Sequence, residues 1–316
     1  MILTVTLNPA LDQTLLINGL KTHDTNRIQE IQTDAGGKGI NLSRIASELG
    51  TATTATGFLG GSTGAAIRHV MKCQHVIDEC IETESETRTN YNIESGDGPP
   101  TTLNAKGNQI SEQEWLILIA KVTELASHST WITLGGSLPP GVPENAFGIL
   151  GDIAKNCGAK IVLDADGAAM QAGLVAFPDF IKPNVREAER LLNRQLFGSR
   201  DAIIQAAKDL YGQNNQPKSP EPIVVISRGA EGAIMCCGQG TFETPSLPIT
   251  PKSTIGSGDS MIGGMLHAIL KGHDLPTALR YGNAAGAATA TSDGAEIGRL
   301  HDILEFFEKT TVREIN

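Results

Sequence analysis

The sequence predicts an α/β fold, a mostly parallel central sheet flanked by helices with a small β-sheet flap, on three observations. Strand-like and helix-like segments alternate along most of the 316 residues, the pattern of right-handed strand–helix–strand crossovers. The aromatic residues amount to only two Trp, three Tyr and eight Phe, so the core must be aliphatic, which suits strands buried on both faces. Two segments, about 13–34 and 86–108, leave the alternation and return, carrying short strand and turn signals such as Tyr91-Asn92-Ile93, Gly96 and Pro99-Pro100.

A first strand near 2–7 runs through Asn8-Pro9-Ala10-Leu11-Asp12 into the first polar excursion. Gly36-Gly37-Lys38-Gly39 then opens a helix whose apolar residues Ile40, Leu42, Ile45, Ala46 and Leu49 recur at three- and four-residue spacing, with Gly50 closing it. Further strands read at 53–58, 130–134, 160–164, 179–181 and 222–226, and helices at 111–126, 143–156, 184–210, 258–271 and 274–290. No long linker, internal repeat or low-complexity tract interrupts the chain, so one domain is expected over 1–316, with 13–34 and 86–108 together forming the flap.

Hydrophobic residues at 40% and charged residues at 19% exclude a disordered, collagenous or coiled-coil chain. The formal charge of −10 opposes any broad attraction to nucleic acid or an anionic membrane, so an anionic ligand would need locally placed cations. No stretch approaches the roughly 18 apolar residues of a membrane span, and a cytoplasmic protein is expected. Cys73, Cys80, Cys157, Cys236 and Cys237 are odd in number and contain no C-x-x-C pair, which reads as reduced structural thiols. Scattered histidines without metal-ligand spacing give no zinc site, and no G-x-S-x-G supports a serine hydrolase.

The strongest local signal is Gly256-Ser257-Gly258-Asp259 followed at once by a helix. Glycines and the unpaired amides of a helix start suit an anion. Asp259 is out of place beside a phosphate unless it takes a proton from an attacking group, which favours a general base over a bare helix cap. Gly36 to Asn41 joins a second glycine turn to a helix and adds Lys38 and Asn41, either a plain helix start or a cradle for an anionic or polyhydroxyl ligand. It is not a Walker loop, because Gln32 stands where the first glycine would fall. Lys182-Pro183-Asn184, with Glu187 three residues on, fits either a capping box or a pair ordering the waters of Mg²⁺. Ser227-Arg228-Gly229 and Gly135-Gly136-Ser137 end strands at the carboxyl edge, where ligands of open α/β sheets gather.

Taken together and in this order, these motifs resemble the ribokinase-like carbohydrate kinases, in particular the sugar-phosphate branch of tagatose-6-phosphate kinase, 1-phosphofructokinase and the minor 6-phosphofructokinase. The resemblance spans nearly the whole chain. It implies ATP-dependent phosphoryl transfer to a hydroxyl of a ketohexose phosphate, with Mg²⁺ and a monovalent cation as cofactors and a flap that covers the sugar and forms a homodimer contact. It implies Asp259 as base, with Asp12 as its rival, and Gly256, Ser257 and Gly258 around the anion hole. Asp12, Gly37 and Asn41 would bind sugar hydroxyls, and Lys38, Arg88, Ser137 and Arg27 would orient the substrate and its phosphate. Lys182, Asn184, Glu187, Ser227, Gly229 and Asn283 fall on the nucleotide side, with Asn184 and Glu187 reaching Mg²⁺ through water.

Several positions depart from the family pattern. Ser257 stands where alanine is commoner, Arg228 where relatives carry an apolar residue, Asp164-Ala165-Asp166-Gly167 replaces a more hydroxyl-rich turn, and the 103–108 loop is unusual. The segment Thr25-Asn26-Arg27 through Gly60-Gly61 leans toward the tagatose-6-phosphate type. A kinase of an unphosphorylated sugar or nucleoside, and a non-catalytic sugar-phosphate sensor, are the alternatives.

Overall fold

The computed structural model describes residues 1–96 and 100–315. Residues 97–99, inside the expected 86–108 excursion, and Asn316 lie outside the described residues. The chain opens with β1 (Ile2–Thr6), β2 (Ala10–Ile17), β3 (Ile28–Gly36) and α1 (Lys38–Glu48), then β4 (Thr53–Leu59), α2 (Gly61–Cys73) and the short β5 (Ile77–Asp78) and β6 (Ile81–Glu82). β7 (Arg88–Glu94), β8 (Thr101–Leu103) and α3 (Glu112–Ala126) follow, and then β9 (Trp131–Gly135), α4 (Ala146–Asn156), β10 (Lys160–Asp164), α5 (Gly167–Leu174) and β11 (Phe180–Ile181). α6 (Val185–Leu192), α7 (Arg200–Asn214), β12 (Ile223–Ser227), β13 (Ala233–Cys237) and β14 (Gly240–Thr244) precede α8 (Ser257–Leu270), α9 (Leu275–Ala290), α10 (Leu300–Lys309) and β15 (Arg313–Glu314).

The large sheet runs in the order β15-β14-β13-β12-β11-β10-β9-β1-β4-β5, with β6 also on β4. From β12 to β5 the pairing is parallel, and β13 to β15 add an antiparallel edge. Alternate residues serve opposite cores, as the two-residue strand period requires. Leu3, Ile132, Leu163 and Val224 pack with α3, α4 and α7, whereas Ile2, Trp131, Val162 and Val225 pack with α1, α8 and α9. Both faces are therefore apolar, which is why the strands read as unbroken hydrophobic runs.

A second sheet, β3-β2-β7-β8, stands apart from the first. Its register puts Asp12 beside Asp34 and Asn90 on one face, and Gln13 beside Tyr91, itself opposite Leu103, on the other. The face of Asp12, Thr14, Asp34, Asn90 and Asn92 is buried, while Ile31, Tyr91 and Leu103 on the opposite face are exposed. This sheet is polar inside and apolar outside.

Three expectations are corrected. The single helix at 184–210 is two, α6 and α7, broken where Asn193 turns left-handed at φ 45° and Gly198 follows at φ 65°. Residues 143–145 precede α4 as a turn, with the Ala146 amide bonded to the Pro143 carbonyl. The first excursion begins before residue 13, as a strand already at Ala10, so Asp12 belongs to the second sheet. Helices α2, α5 and α10 and the antiparallel edge went unread.

Candidate active site

Sheet register builds the charged centre. Leu163 of β10 pairs with Ile181 of β11, so the next residues, Asp164 and Lys182, emerge side by side at the carboxyl edge of parallel strands. Lys182 Nζ stands 3.8 Å from Asp164 Oδ2, and Lys38 Nζ, from the first residue of α1, donates to Asp164 Oδ1 at 2.9 Å. Asp164 is almost wholly buried. Burial alone would push its carboxyl up, but Lys182 and Lys38 outweigh it and hold the group below its ordinary value. Burial likewise works against the Lys38 ammonium, and the Asp164 and Asp259 carboxylates more than offset it, so Lys38 titrates above the ordinary lysine range.

Asp259 enters this set from the first turn of α8. That turn comes close to α1 because residue 263 is glycine: a Cβ there would stand 2.0 Å from Ile45 Cγ2. The approach lets Asn41 Nδ2 donate to Asp259 Oδ2 at 3.0 Å. The amide is oriented from behind, because Arg44 Nη1 donates to Asn41 Oδ1 at 3.4 Å and to the Ala35 carbonyl at 2.8 Å. Burial pushes Asp259 up to about 6; Asp164 adds to the rise, while Lys38, Asn41 and Lys182 pull against it. The result is a carboxyl poised near neutrality at a helix N-terminus. Gly256 caps α8 in the left-handed conformation at φ 74°, and a Cβ on Gly258 would lie 3.0 Å from Lys182 Nζ, so the ammonium rests against the same turn. Ser257 Oγ is buried without a hydrogen-bond partner among the described residues.

A cavity of about 760 Å³ opens from this centre, a volume fitted to a nucleotide-sized ligand. Every residue expected on the nucleotide side lines it: Lys182, Asn184, Glu187, Ser227, Gly229 and Asn283, together with Lys38 and Gly256 through Asp259. Asn184 and Glu187 do form a capping box: Asn184 Oδ1 accepts from the Glu187 amide at 2.9 Å and Glu187 Oε2 from the Asn184 amide at 2.8 Å. Each keeps one polar atom beyond the cap, Asn184 Nδ2 and Glu187 Oε1, so the cap and a ligand contact are compatible. Asn283 Nδ2 donates to the Pro245 carbonyl at 3.1 Å.

The residues expected on the sugar side are more dispersed. Asp12 sits on the buried polar face of the second sheet, accepting from Asn90 Nδ2 at 2.9 Å, and its carboxylate occupies the space a Cβ on Gly36 would need. Burial chiefly raises its pKa. Gly37 is the N-cap of α1 at φ 119°. Ser137 is exposed and its Oγ accepts from Asn8 Nδ2 at 3.0 Å. Arg88 does not reach the cavity: its guanidinium donates to the carbonyls of Asn8, Pro9 and Ala105, bracing the turn between β1 and β2. Arg27 is exposed between β2 and β3 and touches none of these groups. Sequence reasoning missed Asp164 and Arg44. The signal for Asp164 was available, an acidic residue ending a buried strand at the carboxyl edge; Arg44 carried none beyond its place within a helix.

Comparison with known proteins identifies the family of the chain. The chain belongs to the pfkB family of carbohydrate kinases, whose model matches residues 5–302. It is 35% identical over 303 residues to a 1-phosphofructokinase of Rhodobacter capsulatus, covering 94% of this chain and 91% of that protein. A 1-phosphofructokinase of Borreliella burgdorferi is 35% identical over 291 residues, 92% of each chain. Among solved structures, phosphofructokinase-2 from Escherichia coli matches in complex with substrates and products at 27% identity and a TM-score of 0.90, covering 98% of both chains. The same enzyme in complex with potassium matches at 28% and 0.88 over the same share. Ribokinase from Thermotoga maritima, 19% identical with a TM-score of 0.78 over 98% of this chain and 99% of that one, shares the fold. The protein is thus a carbohydrate kinase of ribokinase-like architecture.

The raised Asp259 has a thermodynamic signature. The folded state holds this proton more tightly than the unfolded chain, from an ordinary 3.8 to about 6. The associated stability is therefore complete below the lower value and is lost as pH climbs through the upper one. Asp259→Asn removes the titration, so its Tm relative to the unaltered protein is expected to rise between about pH 4 and pH 7. A difference flat across that window contradicts the elevated carboxyl.

Proposed function

We propose that the protein transfers the γ-phosphoryl of ATP to a hydroxyl of a ketohexose phosphate, with fructose 1-phosphate as the acceptor. The observation that carries this reading is Asp259, a buried carboxyl near neutrality in the first turn of α8, where the large cavity meets Lys38 and Asn41. The two relatives named 1-phosphofructokinase support the choice of acceptor.

On this reading Asp259 accepts the proton of the attacking hydroxyl. Asn41 engages Oδ2, which leaves Oδ1 for the acceptor. The acceptor oxygen forms its bond to the γ-phosphorus as the bond to the β,γ-bridging oxygen breaks, and ADP departs with that oxygen. The charge spread over the transferring group falls on the amides of Gly258 and Asp259 in the first turn of α8 and on Lys182, donors fixed before the reaction begins. Lys38 bridges the sugar and nucleotide sides. Asp12, Gly37 and Asn41 are assigned to sugar hydroxyls, and Arg88, Ser137 and Arg27 to the acceptor and its phosphate. Asp259 is preferred to Asp12 as base because it stands in the first turn of α8, whereas Asp12 lies on β2 of the second sheet.

ATP fits the cavity through Lys182, Ser227, Gly229 and Asn283. The uncommitted atoms of Asn184 and Glu187 fit a hydrated Mg²⁺, held through its waters; such an ion neutralises phosphate charge. The potassium complex of the Escherichia coli relative supports a monovalent cation as a further cofactor.

The second sheet is proposed as the flap over the sugar, and its outward apolar face as a homodimer contact. Its buried side presents Asp12 and Asn90, groups suited to hydroxyls, and its exposed side presents Ile31, Tyr91 and Leu103.

ADP release in the presence of Mg-ATP should show kcat/KM for fructose 1-phosphate at least tenfold above that for tagatose 6-phosphate, fructose 6-phosphate or fructose. The acidic limb of kcat/KM should fall away below about pH 6, following the carboxyl that must be ionised. Asp259→Asn should retain ATP binding and lose at least about a thousandfold in kcat, at the scale of general-base catalysis. An active Asp259→Asn enzyme would remove the base from this account, and turnover of fructose alone would replace the acceptor class. For the flap, sedimentation of an Ile31→Asp/Leu103→Asp protein should give a monomer where the unaltered chain gives a dimer; identical sedimentation contradicts the contact.

A further inference from the structure

We propose that Arg228 is a positioning residue for the nucleotide: anchored by Glu243, its guanidinium holds the Gly229–Gly232 turn against the sheet and so sets the affinity for ATP. This rests on the reading that the large cavity takes the nucleotide.

Arg228 follows β12 directly, and Ser227, Gly229, Ala230 and Gly232 around it line the cavity. Its own side chain points the other way and is only 5% exposed. Nη2 donates to Glu243 Oε1 at 2.8 Å and to the Glu231 carbonyl at 2.7 Å. One guanidinium thus ties the far end of the turn to β14. The backbone supplies three further bonds, Arg228 amide to Gly232 carbonyl at 2.8 Å, Glu231 amide to Arg228 carbonyl at 3.2 Å and Gly232 amide to Gly229 carbonyl at 3.0 Å, but all stay within the turn. The turn also lies hard against the end of β14: a Cβ on Gly232 would come within 2.0 Å of the Thr244 carbonyl oxygen. A shift of the arm therefore moves the cavity wall.

Glu243 is a strong anchor because three arginines converge on it. Arg200, the first residue of α7, reaches Oε2 through Nη2 at 2.7 Å, and Arg313 of β15 reaches the same oxygen at 2.6 Å. Hydrogen bonds from Arg200 chiefly hold its carboxyl down at about 2, against the opposing push of burial, so the anchor stays ionised throughout the working pH range. The same redundancy makes the idea testable. Replacing Arg228 leaves Glu243 bonded to Arg200 and Arg313, so no buried charge is stranded and the fold is retained. Sequence comparison had marked Arg228 as out of pattern; its partner Glu243 lies on the neighbouring antiparallel edge, outside the motif.

The test measures KM for ATP and for the sugar phosphate, and the Kd of AMP-PNP by calorimetry, in Arg228→Met, Arg228→Lys and Ala287→Trp proteins. Ala287 lines the cavity, and a tryptophan there obstructs it. Arg228→Met should raise KM for ATP and Kd for AMP-PNP five- to twentyfold, with KM for the sugar phosphate within twofold and Tm nearly unchanged. Arg228→Lys, whose shorter side chain stops short of the position of Nη2, should fall between. Unchanged nucleotide affinity in Arg228→Met while Ala287→Trp abolishes binding overturns the positioning role alone. Equal losses toward both substrates also overturn it, since they mark a general structural defect. Nucleotide affinity unchanged in both proteins overturns the cavity assignment and this role with it.

Discussion

Two lysines and two aspartates gathered at the carboxyl edge of the sheet, Asp164, Lys182 and Asp259 buried and Lys38 partly exposed, are the constraint on which the rest of the site depends. A charge withdrawn from water would cost several kcal/mol if left alone. Here Lys38 and Lys182 share Asp164 at 2.9 and 3.8 Å, and Asp259 completes the set from α8. The pairing is a consequence of strand register rather than of flexible side chains finding one another, because Asp164 and Lys182 each follow the paired residues Leu163 and Ile181. A centre fixed in this way meets its ligands with its charges already oriented, which is the condition for electrostatic catalysis to work without reorganisation.

The position of Asp259 within that set is what separates it from an ordinary capping carboxylate. Close packing of α8 on α1, permitted by the absent side chain at Gly263, brings the Asn41 amide to one of its oxygens. Arg44 behind Asn41 also holds the Ala35 carbonyl at the end of β3. Asp259, the glycine turn at α1 and the second sheet are thus mechanically joined through one buried arginine. The elevated carboxyl weakens the fold at neutral pH, a local cost of the kind functional sites commonly carry.

Much of this was legible in the sequence where chemistry and backbone geometry coincide in one short segment. Gly256 to Asp259 displays a glycine turn, a helix start and an out-of-place acid within four residues, and all of them line the cavity. Lys182 to Glu187 was equally readable: the capping box forms, and Asn184 and Glu187 each keep a polar atom beyond it. What was not legible depends on residues far apart in the chain. Asp164 gains its meaning only from Lys182 at the end of the neighbouring strand and Lys38, 126 residues away, and Glu243 only from arginines on three other segments. Arg88, expected at the acceptor, also binds the backbone carbonyls of Asn8, Pro9 and Ala105, a use that no motif announces. The break between α6 and α7 was missed because helical periodicity continues across Asn193, where one left-handed residue suffices to end a helix. The parallel core was read correctly because strands buried on both faces need unbroken apolar runs, whereas the antiparallel edge, β13 to β15, follows from pairing that such runs do not reveal.

The central claim is that Asp259 stands where the acceptor hydroxyl meets the phosphoryl group. A crystal structure with AMP-PNP and fructose 1-phosphate tests it most directly. The account predicts an acceptor hydroxyl about 2.6–3.2 Å from the Asp259 carboxylate, with the γ-phosphate against Lys182 and the first-turn amides of α8. A γ-phosphate bound elsewhere, or an acceptor hydroxyl seated on Asp12 with Asp259 out of reach, would contradict it.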